Sequence, residues 1–178
     1  MDYSEAREIT QYLKTTPLFS YFEEDPLIDL LKDARVLHFE SAGEVIREGE
    51  FGPEFYLVVR GNVDVTVSEG EREVFISTIG EGQFFGEAGL FARVRRTANV
   101  AASDGSVLVA IGRNTFLSFL QKRPKTGIQF LMLIIYSLLK KLRGANQELA
   151  FERKFDIDQD DIDSIIRGIL EEREEKGD

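Results

Sequence analysis

Apolar residues along this 178-residue chain follow three successive rhythms. Over residues 4–31 they recur at helical spacing: Ile9 and Leu13 lie four apart, and Leu27, Leu30 and Leu31 share one face. Thr16-Pro17 interrupts that run, because a proline pushes the residue before it out of the helical region. Over residues 36–111 the rhythm shortens. Val63, Val65 and Val67 alternate with Asn62, Asp64 and Thr66, the period-two pattern of a half-buried strand. Residues 55–59 and 107–111 are apolar throughout, and 74–79 are mixed. Gly43, Gly49, Gly52, Gly61, Gly70, Gly80 and Gly82 punctuate the stretch at turn-like intervals. Many short strands with no long helices between them predict a sandwich or a barrel.

Beyond Arg113 the helical rhythm returns. Phe116, Leu117 and Leu120 predict a short helix ended by Pro124. A long helix follows over 125–150, with Ile128, Leu131, Ile135, Leu138, Leu142, Ala145 and Leu149 as its apolar positions. The last 28 residues add a stripe of Ile162, Ile165, Ile166, Ile169 and Leu170, with Asp158 or Asp160 placed to cap its start. That stripe fits a helix folded back on the domain, or a docking or dimer helix. The expected organisation is an N-terminal helical segment (1–35), strands (36–112), two helices (113–150) and an acidic tail (151–178).

Charge and composition narrow the function. Lys and Arg number 22 against 32 Asp and Glu, a formal net charge of −10. Grip on nucleic acid by a broad basic surface is therefore not expected, nor is a polybasic membrane contact. The charge is uneven, since residues 151–178 hold 5 basic and 11 acidic side chains. With no cysteine, structural disulfides, thiolate nucleophiles and cysteine-ligated zinc are excluded. The one histidine, His38, lies between Leu37 and Phe39 and reads as a strand residue without a chemical role. A roll-shaped metalloenzyme needs several such ligands, so no metal is expected. The most apolar run, 130–139, is too short to span a bilayer, and the first residues lack the basic and apolar regions of a signal peptide. A cytoplasmic protein is expected.

One stretch carries chemistry: Gly82-Gln83-Phe84-Phe85-Gly86-Glu87-Ala88-Gly89-Leu90-Phe91, continuing to Arg95-Arg96-Thr97-Ala98-Asn99-Val100. Small residues at 86, 88 and 89 let a backbone turn approach a ligand closely and present successive N–H groups, an anion nest. An arginine ten residues past Gly86 reaches back with a planar fork that matches two phosphate oxygens. A glutamate beside an anion makes sense if the ligand also offers a hydroxyl. One anion, one hydroxyl and an apolar flank describe a nucleotide.

This stretch resembles the phosphate-binding cassette of cyclic nucleotide-binding domains, and the likeness covers nearly all of residues 8–147. It includes Pro17-Leu18-Phe19, the turn from Ala42 to Ile46, Gly49-Glu50-Phe51-Gly52 leading into Phe55-Tyr56-Leu57-Val58, Gly61 with Val63-Asp64-Val65, and Leu142-Arg143. The resemblance implies an α+β fold: an antiparallel β-roll (a double-stranded jelly roll) flanked by N-terminal helices and a long C-terminal helix. It implies a non-enzymatic regulatory or sensor protein whose ligand is cAMP (or cGMP), with cAMP favoured. Gly86 and Ala88 would offer amides to the cyclic phosphate, and Glu87 would accept the ribose 2′-hydroxyl. Arg96 would pair with the phosphate oxygens, Thr97 and Ala98 would add a hydroxyl and an amide, and Asn146 would contact the base, with Phe151 or Phe155 stacking on it. Arg95 points the other way if the segment is a strand. Gly89 stands where many members carry alanine, a tolerable change; Ala88 replaces a common leucine and would alter packing under the cassette. The signal would pass through a hinge at 116–120 and the following helix as a lid.

The partners implied are the cyclic nucleotide, a protein effector of unknown identity, and a second copy in a homodimer through the C-terminal helices. A DNA-binding factor needs a helix-turn-helix after the long helix, and the acidic 28 residues that follow do not supply one. A channel needs membrane helices. The remaining alternative is a ligand-free β-roll scaffold or interaction module using the acidic tail, its Arg96 paired to Glu87 merely to lock the roll.

Overall fold

A strand buried on both faces needs apolar side chains at every position, and two segments of this chain meet that demand. The computed structural model describes residues 1–70 and 72–148, with side chains through residue 143. Its elements run α1 (Tyr3–Leu13), α2 (Glu24–Leu31), β1 (Arg35–Phe39), β2 (Gly43–Ile46), β3 (Glu54–Arg60), β4 (Val63–Glu69), β5 (Arg72–Ile79) and β6 (Phe84–Phe85). They continue with α3 (Ala88–Phe91), β7 (Asn99–Ala102), β8 (Ser106–Gly112), α4 (Arg113–Lys122) and α5 (Pro124–Glu148). The strands form two antiparallel four-stranded sheets, ordered β1-β8-β3-β6 and β2-β7-β4-β5. The fold is an α+β antiparallel β-roll with flanking helices.

β3 and β8 are the two continuous apolar runs, paired side by side with Phe55 opposite Ile111 and Leu57 opposite Val109. Alternate residues serve different cores. Tyr56, Val58, Leu108 and Ala110 face the second sheet, where Ile46, Val63, Phe85 and Val100 meet them. Phe55, Leu57, Val109 and Ile111 face the helices. β4, with its alternating valines, buries Val63 and packs Val65 against the inter-sheet core, while Asp64, Val65, Thr66 and Val67 are all half-buried.

The helical core centres on Phe130, which is 1% exposed. Its ring lies 5.4–6.4 Å from those of Phe19, Phe22, Phe55, Phe84, Phe116 and Phe119, mostly edge to face. This corrects the face expected of the long helix. Phe130, Leu133 and Ile134 are buried, whereas Ile128, Ile135, Leu138 and Leu142 are 41–58% exposed. The helix carries apolar residues on two stripes, and spacing alone does not say which one meets a core. Pro124 begins α5, where its missing N–H costs nothing, as well as ending the helix before it.

The compact unit spans Met1–Lys140; Lys141–Asp178 form a second, of which the helical backbone to Glu148 is described. Asn146 lies in α5 with its side chain outside the described residues, and Phe151, Phe155 and the stripe at 162–170 lie outside them altogether. Among the described residues no helix is long and apolar enough to cross a membrane.

α1 is bolted to the turn before β6. The Tyr12 hydroxyl donates to Glu81 Oε2 at 2.7 Å, and Glu81 Oε1 accepts the Gly61 N–H at 2.9 Å. The bond from Tyr12 holds the Glu81 carboxyl below its ordinary pKa, and the same bond holds the Tyr12 phenol above its own.

Replacing Phe130 by alanine is expected to cost about 3–5 kcal/mol in urea unfolding, against less than about 1 kcal/mol for Ile135→Ala. Equal losses would mean that α5 packs by its other stripe. A carboxyl with a lowered folded pKa stabilises above its unfolded value and loses that contribution as the pH falls through the folded one. A phenol with a raised pKa stabilises below its ordinary value and loses it as the pH rises. Tyr12→Phe is therefore expected to flatten the pH dependence of stability in the acid range where Glu81 titrates and again in the alkaline range where Tyr12 does. Unfolding curves recorded from acid to alkaline pH check this.

Candidate functional site

The site is built where β6 ends. Phe85 stacks its ring on Tyr56 at 5.0 Å and 12°, which fixes the strand end against β3. Gly86 follows at φ +74°, a left-handed turn that a side chain strains. One short helical turn, α3, begins two residues later, and the Gly89 and Leu90 N–H groups return to the carbonyls of Gly86 and Glu87. Helix geometry leaves the donors just before them, at 87 and 88, without intrahelical acceptors.

Arg96 reaches this turn from the other side. Its backbone is zipped to the loop before β3: the Gly49 N–H donates to Arg96 O and the Arg96 N–H to Glu50 O, both at 2.8 Å. Phe51 bridges Arg95 in the same way. The two arginines then diverge as strand geometry requires. Arg95 is exposed, donating Nη1 to Gly49 O at 2.7 Å with its guanidinium 4.6 Å from the Phe51 ring centroid. Arg96 is half-buried, donating Nη1 to Gly86 O at 2.9 Å and Nη2 to Glu54 O at 2.6 Å. Its Cζ lies 5.9 Å from the Tyr56 ring centroid. The Tyr56 phenol is pushed up first by burial and then by the Glu54 charge.

Three glycines make room for this guanidinium. A Cβ on Gly86 would stand 2.8 Å from Arg96 Nη1, and one on Gly52 2.8 Å from Nη2. At Gly89 it would meet Gly52 O at 2.5 Å. The reverse change, alanine at 89, is blocked in this chain, because the added carbon would meet backbone. Ala88 is exposed, and Leu90, 4% exposed, is the residue of this turn that joins the helical core.

Among the described residues Arg96 forms no ion pair. Glu54, whose backbone carbonyl Arg96 uses, turns its carboxylate to Arg35 at 2.7 Å and accepts from the Tyr56 hydroxyl at 3.3 Å. Glu87 is 8% exposed and has partners of its own, but no bond joins it to Arg96. A lock of the roll by an Arg96–Glu87 pair is not what this structure contains. Gly86, Glu87, Ala88 and Arg96 converge; Thr97 is exposed and Ala98 half-buried on the same segment. Among the described residues no group of three or more metal-ligating side chains is gathered.

Sequence reasoning passed over Arg113. It opens α4, and its side chain donates Nε and Nη2 to Gly89 O at 3.2 and 2.6 Å and Nη2 to Ala92 O at 2.8 Å. Its own N–H donates to Pro53 O at 2.9 Å. The available signal was its position, since a cation at a helix N-terminus opposes the dipole unless something else holds it. Here the C-terminal carbonyls of α3 do.

A convergent glycine turn and a half-buried arginine on a two-sheet roll make up the candidate site. Residues 36–123 match the family model described as the cyclic nucleotide-binding domain, and this span of the chain belongs to that family. It runs from β1 to the end of α4 and contains every cassette residue named above. The fruit fly (Drosophila melanogaster) cGMP-dependent protein kinase, isozyme 2 forms cD5/T2, is 34% identical over 113 residues, 61% of this chain and 12% of the kinase. The chain thus spans about an eighth of that relative. The regulatory domain of Toxoplasma gondii PKA, solved with cAMP, is 25% identical at a TM-score of 0.56, covering 67% of this chain and 46% of that one. A cyclic nucleotide-binding domain from Methylobacillus flagellatus, 19% identical, shares the fold at a TM-score of 0.71 over 86% of this chain and 88% of its own.

Gly89→Ala is expected to cost about 1–3 kcal/mol, because backbone must move. Gly52→Ala meets only a movable guanidinium, so its cost is expected below about 1 kcal/mol. Denaturant midpoints for the two variants check the order.

Proposed function

We infer that this protein is a cyclic nucleotide sensor: it binds a purine 3′,5′-cyclic nucleotide in the cassette and passes occupancy on through α4 and α5. The observation that supports this most is the Arg96 guanidinium, half-buried, without a carboxylate partner among the described residues, and spread over neutral carbonyls beside a glycine turn. A carbonyl carries only a partial charge. A phosphate monoanion offers Arg96 a full one together with a bidentate geometry, and the amides at 86 and 88 add donors from the other side.

Each charge-assisted bond contributes about 1.5–3 kcal/mol, so several on one phosphate are consistent with a Kd near or below about 10 μM. Glu87 takes the ribose 2′-hydroxyl in this reading, and Thr97 and Ala98 complete the phosphate contacts. The net charge of −10 does not oppose it, because hydrogen bonds act over a few ångströms whereas exposed charges are screened within about 8 Å at physiological salt. The kinase relative is named for cGMP and the Toxoplasma domain was solved with cAMP, so base preference is read from the ligand experiment, with cAMP first. Kinase activity is not carried over, the aligned segment being 12% of that protein.

Isothermal titration of the full chain with cAMP and with cGMP is expected to show saturable heat with at least one, and a matching rise in Tm. Arg96→Glu is expected to weaken binding by more than about 100-fold while circular dichroism retains the β-roll signature. Heat with neither nucleotide sinks the sensor reading, and full affinity in Arg96→Glu moves the site elsewhere.

A further inference from the structure

The contacts of Arg113 extend the binding reading to how occupancy leaves the cassette. α4 carries no acidic residue in its first turn and no side-chain cap at Gly112, yet it opens on a cation. That placement is unfavourable on its own. What holds Arg113 is the far end of the cassette, through the forked bonds to Gly89 O and Ala92 O. α3 has no basic residue in its own last turn, so Arg113 supplies the positive charge its C-terminus lacks.

The same residue grips the other half of the cradle. Its backbone N–H donates to Pro53 O, and the next carbonyl along, Glu54 O, is one of the two on which Arg96 rests. Arg113 therefore touches both walls between which Arg96 lies: the turn from Gly86 through α3, and the loop before β3. Three residues later, Phe116 sets its ring 5.5 Å from Phe55 and 5.6 Å from Phe130. A path of bonded or packed groups runs from the cassette carbonyls through Arg113 and α4 to the start of α5.

We propose that Arg113 is the positioning residue that couples occupancy of the cassette to α4: when Arg96 leaves Gly86 O and Glu54 O for a bound phosphate, both walls re-seat and the Arg113 fork carries the change into the first turn of α4. This rests on the cyclic nucleotide reading above. Arg113 itself makes no contact with the ligand in this scheme. The fork matters because two carbonyls must be held at fixed separation, which a planar guanidinium does and a single ammonium does not.

The test is hydrogen exchange of the peptide covering α4, with and without saturating cAMP or cGMP, in the wild type, Arg113→Ala and Arg113→Lys, alongside titration of each. The wild type is expected to bind and to change its α4 exchange on binding. Arg113→Ala is expected to keep affinity within roughly tenfold and lose that ligand-dependent change, with Arg113→Lys retaining less than about half of it. A merely structural role would raise exchange in free and bound states alike and leave the difference intact; that result overturns the proposal. A wild type that binds without altering α4 overturns it too, as does outright loss of binding in a folded Arg113→Lys. If Arg113→Ala does not fold, Arg113→Lys carries the comparison by the same criteria. A wild type that binds neither nucleotide overturns the sensor reading itself, a result distinguishable from all of these.

Discussion

The guanidinium of Arg96 lies across two backbone carbonyls, Gly86 O and Glu54 O, and its surroundings follow from that contact. The fork lies close to Gly52 and Gly86, and the two walls approach each other at Gly89, where backbone leaves no room for a side chain. The positive φ of Gly86 turns the chain so that one carbonyl faces the arginine while the next residues start α3. The ladder between residues 49–51 and 95–96 sets Arg96 inward and Arg95 outward. A side chain at Gly86 disturbs the turn as well as the placement of the charge.

Stability and function draw on different parts of the molecule. The six rings around Phe130 and the inter-sheet core beneath Tyr56 and Phe85 bury the large apolar surfaces. The cradle lies at their border. Tyr56 belongs to the inter-sheet core and underlies Arg96; Phe55, its neighbour on β3, belongs to the helical core and touches Phe116. One strand thus supports the anion site with one face and the helices that follow it with the other. That arrangement gives a local change at the cassette a short route to α4.

Charge works on two scales in this protein. The acidic excess, heaviest in residues 151–178, governs long-range behaviour and is screened by salt. Arg96 and Arg113 act through hydrogen bonds of 2.6–3.2 Å to backbone carbonyls. Both are cations satisfied by dipoles rather than by carboxylates, a state in which an anion of suitable shape competes well for Arg96.

Much of this was legible in residue order. Period-two valines and continuous apolar runs predict strands of two kinds, and β4 on one hand and β3 and β8 on the other are those kinds, because a strand shows in its sequence how many of its faces are buried. The cassette was legible too, since glycines at a turn and an arginine ten residues on are local features with local causes. Three matters were not. Which stripe of α5 meets the core depended on Phe130 finding six rings from distant segments. The need for glycine at 89 depended on a carbonyl from residue 52. The partner of Arg113 was a helix end more than twenty residues earlier. The sequence by itself determined the elements, the roll, and the glycines and arginine of the cassette. Only the tertiary structure decided which faces meet and which cations are held, because those depend on neighbours that no periodicity records.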